Sequence, residues 1–193
     1  MTTGKVIVAD PLAYLKDTKY AYALDDEIPV GEYPIMLAIL YSKMVGKRIA
    51  CAKMKISNEE AVTYKLAQAK KEAELRNISI FSGLPVETGM GCFVDEEAAK
   101  DYRTFLEQWK QENLHQEIYR DYFKSLFEES YKVEPNYQRA GGDFLLWENP
   151  LTHSQIAFFA TGLGDAYYPV LWGLDSEGEI CELTTLFMNP EYF

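Results

Sequence analysis

The last 54 residues of the chain contain no lysine or arginine, although eight aspartate and glutamate residues occur there. This segment therefore carries a formal charge of −8 out of the −11 of the whole chain. An acidic surface repels phosphate backbones and attracts cations or basic proteins. We therefore expect no nucleic acid as a partner, and the charge fits a basic protein partner or a small ligand.

Histidine and cysteine are scarce in the 193 residues. The two histidines, His115 and His153, are too few for a histidine-rich transition-metal centre. The three cysteines, Cys51, Cys92 and Cys181, are widely spaced and include no CxxC pair. This pattern argues against a disulfide framework and structural zinc and is typical of a reducing compartment. We expect no cofactor.

Long apolar runs are also missing. No window approaches 18 apolar residues, and the start, MTTGKVIVAD, lacks the basic and apolar regions of a signal peptide. The sequence therefore predicts a cytoplasmic protein that does not enter a membrane. Its length predicts a single domain over residues 1–193.

The first half of the chain indicates strands followed by helices. GKVIVAD indicates a short strand, and residues 33–43 and 47–57 indicate a hairpin. Residues 35–40 are apolar at both odd and even positions, which point to opposite faces of a strand, and this predicts a central strand covered on both faces. Ser57 and Glu60 resemble a capping box that opens an amphipathic helix over 58–76.

The middle of the chain predicts a helical insert over residues 95–131. Asp95 is a suitable N-cap for a first helix, whose apolar stripe includes Tyr102, Phe105 and Trp109. A further helix is predicted over 113–131, with a wide aromatic stripe that fits either the core or an interface.

The end of the chain predicts four strands, from the sequences DFLLWEN, SQIAFFAT, YYPVLWGLD and EICELTTLF. A hairpin loop is predicted at 175–178. Strands, then helices, then strands predict an α+β fold, with a largely antiparallel, sandwich-like sheet system and two or three inserted amphipathic helices.

The glycine-rich sequence Gly162-Leu163-Gly164-Asp165 raises the question of a binding site. A phosphate cradle is disfavoured, because the loop precedes a strand containing Pro169 and has no basic residue nearby. One interpretation is a turn in which Asp165 bonds its own backbone. The other places Asp165 at the end of the sheet as the polar anchor of a small pocket.

Three aromatic residues follow this loop, namely Tyr167, Tyr168 and Trp172. Aromatic side chains supply large contact areas with few rotatable bonds. We predict that they bind a partner or ligand together with Asp165, and we add Gly91, from the sequence GMGCF, to this predicted binding site.

An enzymatic alternative is a hydrolase that uses Asp165 with Cys92 or with a divalent cation. Cys92 follows a glycine-rich turn, where a thiol can act as a nucleophile if a base is placed beside it. A buried cysteine among apolar residues is the commoner use. Asp175 and Glu179 are weak candidates for metal ligands, because their spacing lacks the pattern of a calcium loop.

Several blocks of the sequence resemble a bacterial family that is known only as a domain of unknown function. The most specific of these blocks are GMGCF, GDAYYP, WGLD and GEI. The resemblance covers nearly the whole chain and implies a shared fold but no established activity. The family pattern often has Gly-Asp-Gly where this chain has Gly164-Asp165-Ala166, and an acid near Leu186. These departures weaken a catalytic interpretation, so a binding or interaction module is our first functional hypothesis.

Overall fold

The computed structural model describes residues 1–18, 21, 23–69 and 83–192. Its strands are β1 (Val6–Ala9), β2 (Ile35–Ser42), β3 (Gly46–Lys55), β4 (Thr63–Leu66), β5 (Gly83–Val86), β6 (Met90–Asp95), β7 (Phe144–Glu148), β8 (Gln155–Ala160), β9 (Ala166–Leu174) and β10 (Ile180–Leu186). The helices are α1 (Glu96–Glu112), a π-helical turn (Tyr119–Phe123) that continues into α2 (Lys124–Val133), and a 3₁₀ turn (Pro190–Tyr192). Within these residues, no helix is long and apolar enough to cross a membrane.

The strands form two antiparallel sheets. The small sheet has the order β1-β6-β8-β7. The large sheet has the order β2-β3-β10-β9-β4, and β5 also pairs with β9. Strands β4 and β5 pair with different halves of β9, because Leu66 lies opposite Leu171 and Gly83 lies opposite Pro169.

The two sheets pack face to face around one apolar core. Strand β3 contacts β8, and β1 contacts β5. Inward-facing side chains of both sheets meet there, as when the ring of Phe159 in β8 packs 5.9 Å from that of Phe187 beyond β10. The predicted α+β, sandwich-like fold is therefore confirmed.

The helices cover the other face of the small sheet. Strands β7 and β8 present Trp147 and Phe158 to them, and the two rings stack at 6.2 Å. Phe123, from the π-helical turn, is fully buried with its ring 5.3 Å from that of Phe158. The π-helical turn and α2 together form the second helix, whose aromatic stripe packs into the core through Phe123 and Phe127, whereas Tyr119 is 38% exposed.

Strand β2 lies at an edge of the large sheet, so the prediction of a central strand over 35–40 was wrong. Its burial alternates along the strand, and Met36 is 53% exposed while its neighbours Ile35 and Leu37 are half-buried. Both alternating sets are apolar, but only one of them faces the other sheet.

The predicted helix over 58–76 was wrong for its described part. Residues Thr63–Leu66 form β4, which pairs with β9, and residues 70–76 lie outside the described part of the chain. The Ser57 hydroxyl accepts a hydrogen bond from the backbone N–H of Glu59 at 3.2 Å, which makes a turn rather than a helix cap. Strand pairing therefore outweighs the helical spacing of the apolar residues.

The predicted helix over 113–131 begins later and ends later than expected. The Glu117 carboxylate accepts hydrogen bonds from the backbone N–H groups of Tyr119 and Arg120, at 3.0 and 2.7 Å, and so caps a helix that starts at this point. Leu114, which was expected on the apolar stripe, precedes the cap and is 76% exposed.

Candidate functional site

Two glycine-rich turns that are far apart in the sequence meet at one end of the small sheet. The backbone N–H of Thr161 donates a hydrogen bond to the carbonyl of Gly89 at 3.0 Å. Gly89, Gly162 and Gly164 all have positive φ angles, of 70°, 56° and 113°. Only glycine adopts such angles readily, so these turns depend on their glycines.

Tyr168 holds the second turn in place. Its hydroxyl lies 2.7 Å from the carbonyl oxygen of Gly164 and 3.1 Å from that of Thr161, and it donates to them. Burial raises the pKa of Tyr168, so the hydroxyl keeps its proton and remains a donor. The turn at Gly162-Leu163-Gly164-Asp165 is therefore a braced connection between β8 and β9.

A buried carboxylate holds the first turn. Asp10, which follows β1, is fully buried and accepts backbone hydrogen bonds from residues 12–13 at 3.0 Å and from residues 87–88 at 2.8–3.0 Å. The Thr88 hydroxyl donates to the same carboxylate at 2.7 Å. Charge-assisted hydrogen bonds of this kind fix both segments relative to β1.

A cleft of about 590 Å³ opens beside these turns, and we call it the glycine cleft. Its charged lining residues are Lys16, Glu117 and Arg139. The remaining lining residues are Leu12, Thr88, Gly89, Met90, Tyr102, Leu106, Ile118, Tyr119, Gly142, Ala160, Gly162, Leu163 and Gly164. The Arg139 guanidinium is held by the buried Asp143 carboxylate at 2.7–2.8 Å, so its position is fixed.

The glycine cleft has the size and lining of a small-ligand site. Ligand pockets commonly enclose ~300–1,000 Å³ and combine apolar walls with a few placed polar groups. Here the walls come from α1, the second helix and the two glycine-rich turns, and the polar groups include one lysine, one glutamate and one arginine. The arrangement could bind a small polar molecule that carries both donors and acceptors.

A model of one protein family matches residues 1–185, and that family is described as a protein of unknown function, DUF4241. The chain belongs to the DUF4241 family. The predicted membership of a domain-of-unknown-function family is thus confirmed. No curated protein and no solved structure matches the chain.

The predicted binding residues of this DUF4241 member do not form a single pocket. Tyr167 and Tyr168 are adjacent in β9 and therefore point to opposite faces of the large sheet. Trp172 is fully buried in the core, and its indole N–H has no hydrogen-bond partner within the described ranges. Asp165 is exposed beside Gly164.

Gly91 lies in β6 and faces the inside of the sandwich. A Cβ atom at this position would lie 2.8 Å from the Phe159 ring and 2.9 Å from the Leu84 side chain. The glycine therefore permits close packing between the sheets, away from the glycine cleft of this DUF4241 member.

Cys92 is fully buried in β6, where it pairs with Phe158 of β8. Burial raises the pKa of the Cys92 thiol far above its usual value. A neutral, inaccessible thiol is a poor nucleophile. The structure does not bring Cys92 and Asp165 together at the glycine cleft, since neither residue lines it.

Asp175 and Glu179 lie at the far end of β9 from Asp165. Ten residues of extended chain span about 33 Å, at ~3.3 Å per residue, so these acids belong to a separate surface. The Asp175 carboxylate accepts hydrogen bonds from the backbone N–H groups of Glu177 and Glu179, at 2.9 and 3.0 Å. It thereby closes the β9–β10 hairpin loop.

Sequence reasoning missed the charged residues of the glycine cleft. Lys16, Glu117 and Arg139 come from three loops that share no motif, and only the tertiary structure places them around the glycine turns. The one signal in the sequence was the pair of glycine-rich blocks, which marked two walls of the cleft but not the charges beside them.

A second titratable cluster was also missed, on the outer face of the large sheet. The Glu182 carboxylate is 2.6 Å from the Lys53 ammonium and accepts a hydrogen bond from the Tyr64 hydroxyl at 3.0 Å. Gly173 leaves room for it, because a Cβ there would lie 2.5 Å from the Glu182 Cγ. Both carboxylate oxygens are satisfied, so this cluster joins three strands.

Proposed function

We propose that the protein is a binding module that holds a small polar ligand in the glycine cleft. The observation that carries the proposal is the joining of two distant glycine turns beside an open cleft. The Thr161–Gly89 hydrogen bond, the Tyr168 hydroxyl and the buried Asp10 carboxylate brace these walls. A braced site loses little conformational freedom when a ligand binds, which favours affinity.

Asp165 contributes an exposed carboxylate to the proposed site. It follows Gly164, which lines the glycine cleft, and its carboxylate is exposed beside the rim. A cationic or hydrogen-bond-donating part of the ligand could reach it there. The Asp165→Asn variant keeps the shape of the side chain and removes its charge, so we expect weaker ligand binding and unchanged folding.

The test is a screen of small polar metabolites by thermal shift, followed by calorimetry on each compound that binds. Leu163 lines the glycine cleft and is 59% exposed, so Leu163→Trp should block the site without disturbing the core. Leu151→Trp is the matched control, because Leu151 is a similarly exposed leucine in a turn away from the cleft.

The proposal requires that Leu163→Trp weakens binding by about tenfold or more while Leu151→Trp leaves it unchanged, since overfilled sites exclude ligands. If the screen finds no compound whose binding is blocked by Leu163→Trp, the result would count against the glycine cleft as a binding site.

A basic protein partner is the second candidate function. Glu177 and Glu179 are exposed at the β9–β10 hairpin, in the segment that has no lysine or arginine. Their field would attract a cationic surface and speed association. Changing both Glu177 and Glu179 to lysine should abolish binding of a basic partner. Changing the exposed Glu107 and Glu112 of α1 to lysine should leave that binding intact.

The hydrolase alternative rests on Asp165 acting with Cys92 or with a divalent cation. Its thiol form is disfavoured by the burial of Cys92 and its raised pKa. Its metal form predicts that Asp165→Asn abolishes turnover of any substrate found while the protein stays folded. Unchanged turnover in that variant would rule out this residue.

A cytoplasmic location also stays a proposal. Cys92 and Cys181 are buried in different sheets, so the fold does not place them as a disulfide pair. This arrangement supports a reducing compartment.

A further inference from the structure

The two sheets of the sandwich separate on one side. On the side where β1 contacts β5 the sheets are closed. On the opposite side, where β2 and β7 are the edge strands, a cleft of about 810 Å³ lies between them. We call it the inter-sheet cleft. It lies on the face of the small sheet opposite to the helices, and so it is distinct from the glycine cleft.

Both walls of the inter-sheet cleft are apolar. The main lining side chains are Ile35, Leu37 and Met54 of the large sheet and Phe93, Phe144, Leu146, Ala157 and Phe159 of the small sheet. Met54 and Phe159 are fully buried at its base, whereas Leu146 at its mouth is 63% exposed. An apolar floor that opens through an exposed leucine leaves a space lined by surfaces that favour apolar contacts.

Contacts at one end fix the position of the β2–β3 hairpin. The Tyr41 hydroxyl donates a hydrogen bond to the carbonyl of Asn136 at 2.7 Å. The Lys47 ammonium donates to the carbonyls of Pro135 and Gln138, at 3.0 and 2.9 Å. These bonds tie the hairpin to the loop after α2, which packs on the small sheet, and so they set the spacing of the two sheets.

Charged groups of three residues lie along the cleft. Glu32 is exposed, Met1 carries the N-terminal ammonium, which donates a hydrogen bond to the carbonyl of Gly31, and Asp95 is buried at 5% exposure. Hydrogen bonds from Thr3 and Glu97 outweigh the effect of burial and lower the pKa of Asp95, so this carboxylate stays ionised at neutral pH. Gln155 and Tyr33 are uncharged polar residues of the lining.

We infer that the inter-sheet cleft binds an elongated apolar small molecule whose polar end is uncharged or cationic. The apolar walls would take the hydrocarbon part, and the exposed Glu32 carboxylate and Gln155 would face the polar end. An anionic end would meet the Glu32 carboxylate and a chain with a net charge of −11. The volume of 810 Å³ lies within the ~300–1,000 Å³ that is usual for ligand pockets.

The test measures Nile red fluorescence on the full chain, followed by displacement with straight-chain alcohols. Nile red should saturate at a single site. Because each added CH₂ that is buried improves affinity about fourfold, decanol should displace the dye at roughly fifteenfold lower concentration than octanol. Decylammonium should compete about as well as decanol, and decanoate at pH 8 should need about tenfold more.

Neighbouring residues on β2 supply a matched pair of variants. Leu37 lines the inter-sheet cleft and Met36 points to the outer face of the large sheet. Leu37→Trp should weaken Nile red binding about tenfold or more, because the indole fills the cleft, and Met36→Trp should leave it unchanged. Leu146→Trp, at the exposed mouth, should act like Leu37→Trp and decides the test if Leu37→Trp fails to fold.

Equal losses in Met36→Trp and Leu146→Trp would overturn the site, and so would binding that never saturates. Displacement by decanoate as readily as by decylammonium would overturn the inferred charge of the ligand. Leu163→Trp should leave Nile red binding unchanged, so failure of the glycine cleft as a site does not affect this result.

Discussion

At position 91 the absence of a side chain is explained by packing. Gly91 faces the inside of the sandwich, where the Phe159 ring and the Leu84 side chain would come within 3.0 Å of any Cβ atom. The sequence GMGCF had suggested a binding role for this residue. The distances instead show a contact between sheets that only glycine allows.

Replacing Gly91 by alanine should therefore lower the free energy of unfolding by about 1–3 kcal/mol, the usual cost of overpacking a core. Gly31→Ala is the control, because a Cβ there meets only the Tyr33 ring at 3.4 Å. Urea unfolding at equilibrium measures both variants. Equal stabilities would show that the core at position 91 has room to relax.

The three thiols should differ in reactivity because they differ in exposure. Cys51 is partly exposed in β3, whereas Cys92 and Cys181 are buried and burial raises the pKa of both. We expect Ellman's reagent to modify Cys51 alone in the folded protein, and all three thiols after unfolding. Cys51→Ser should remove the native-state reaction. A fast reaction at Cys92 would instead revive its candidacy as a nucleophile.

At the scale of elements, Asp95 joins β6, α1 and the start of the chain. Its carboxylate accepts hydrogen bonds from the backbone N–H groups of Thr2, Thr3 and Glu97, each at 2.9 Å. The last of these is the N-cap bond that the sequence predicted for α1. The bonds to Thr2 and Thr3 connect the start of the chain to β6 and α1, which the cap alone would not do.

Asp95→Asn should destabilise the protein by about 1–3 kcal/mol at pH 7, because the amide cannot accept from every donor now facing the carboxylate. The pKa of Asp95 is lowered in the folded state, so its stabilisation is present above the unfolded carboxylate pKa of about 3.9 and is lost as pH falls through the folded pKa.

The difference in unfolding free energy between the native protein and Asp95→Asn should therefore shrink below pH 4. Chemical unfolding across the pH range from 7 to 2 measures it. Glu107→Gln, at an exposed site on α1, should show no such change. A difference that stays constant with pH would contradict the role of the Asp95 charge.

Two elements show how strand pairing outweighs local patterns. Thr63–Leu66 carries a helical spacing of apolar residues together with Val62, yet its backbone pairs with β9. In β2 both sets of alternating side chains are apolar, yet one set faces solvent because, within the described ranges, no strand layer lies outside the large sheet there. Local periodicity identifies the apolar positions, but pairing with neighbouring strands determines which of these residues are buried.

At the scale of the whole molecule, the helices and both sheets share one apolar core. Phe123 of the π-helical turn is fully buried, with its ring 6.3 Å from Tyr102, 5.8 Å from Trp147 and 5.3 Å from Phe158. This cluster connects the second helix with α1 and with strands β7 and β8. The layers should therefore unfold together, as the predicted single domain over 1–193 requires.

Phe123→Ala should lower the free energy of unfolding by about 3–5 kcal/mol, the usual cost of a phenylalanine-sized cavity. Transitions followed by far-ultraviolet circular dichroism and by tryptophan fluorescence should still coincide. Tyr192→Ala, at a 73% exposed ring, should change stability little. Two separate transitions would contradict a single cooperative unit.

By itself, the sequence determined the strands of the C-terminal half, the Asp95 cap and the concentration of acidic charge after Arg139. These features depend on residues close together in the chain, where alternation, capping and charge are directly visible. Only the tertiary structure decided that β2 lies at an edge, that Cys92 is buried, and that Gly89 meets Thr161 beside Lys16 and Arg139. These features depend on contacts between distant segments, and burial and pairing are properties of the assembled sheets rather than of any one stretch of residues.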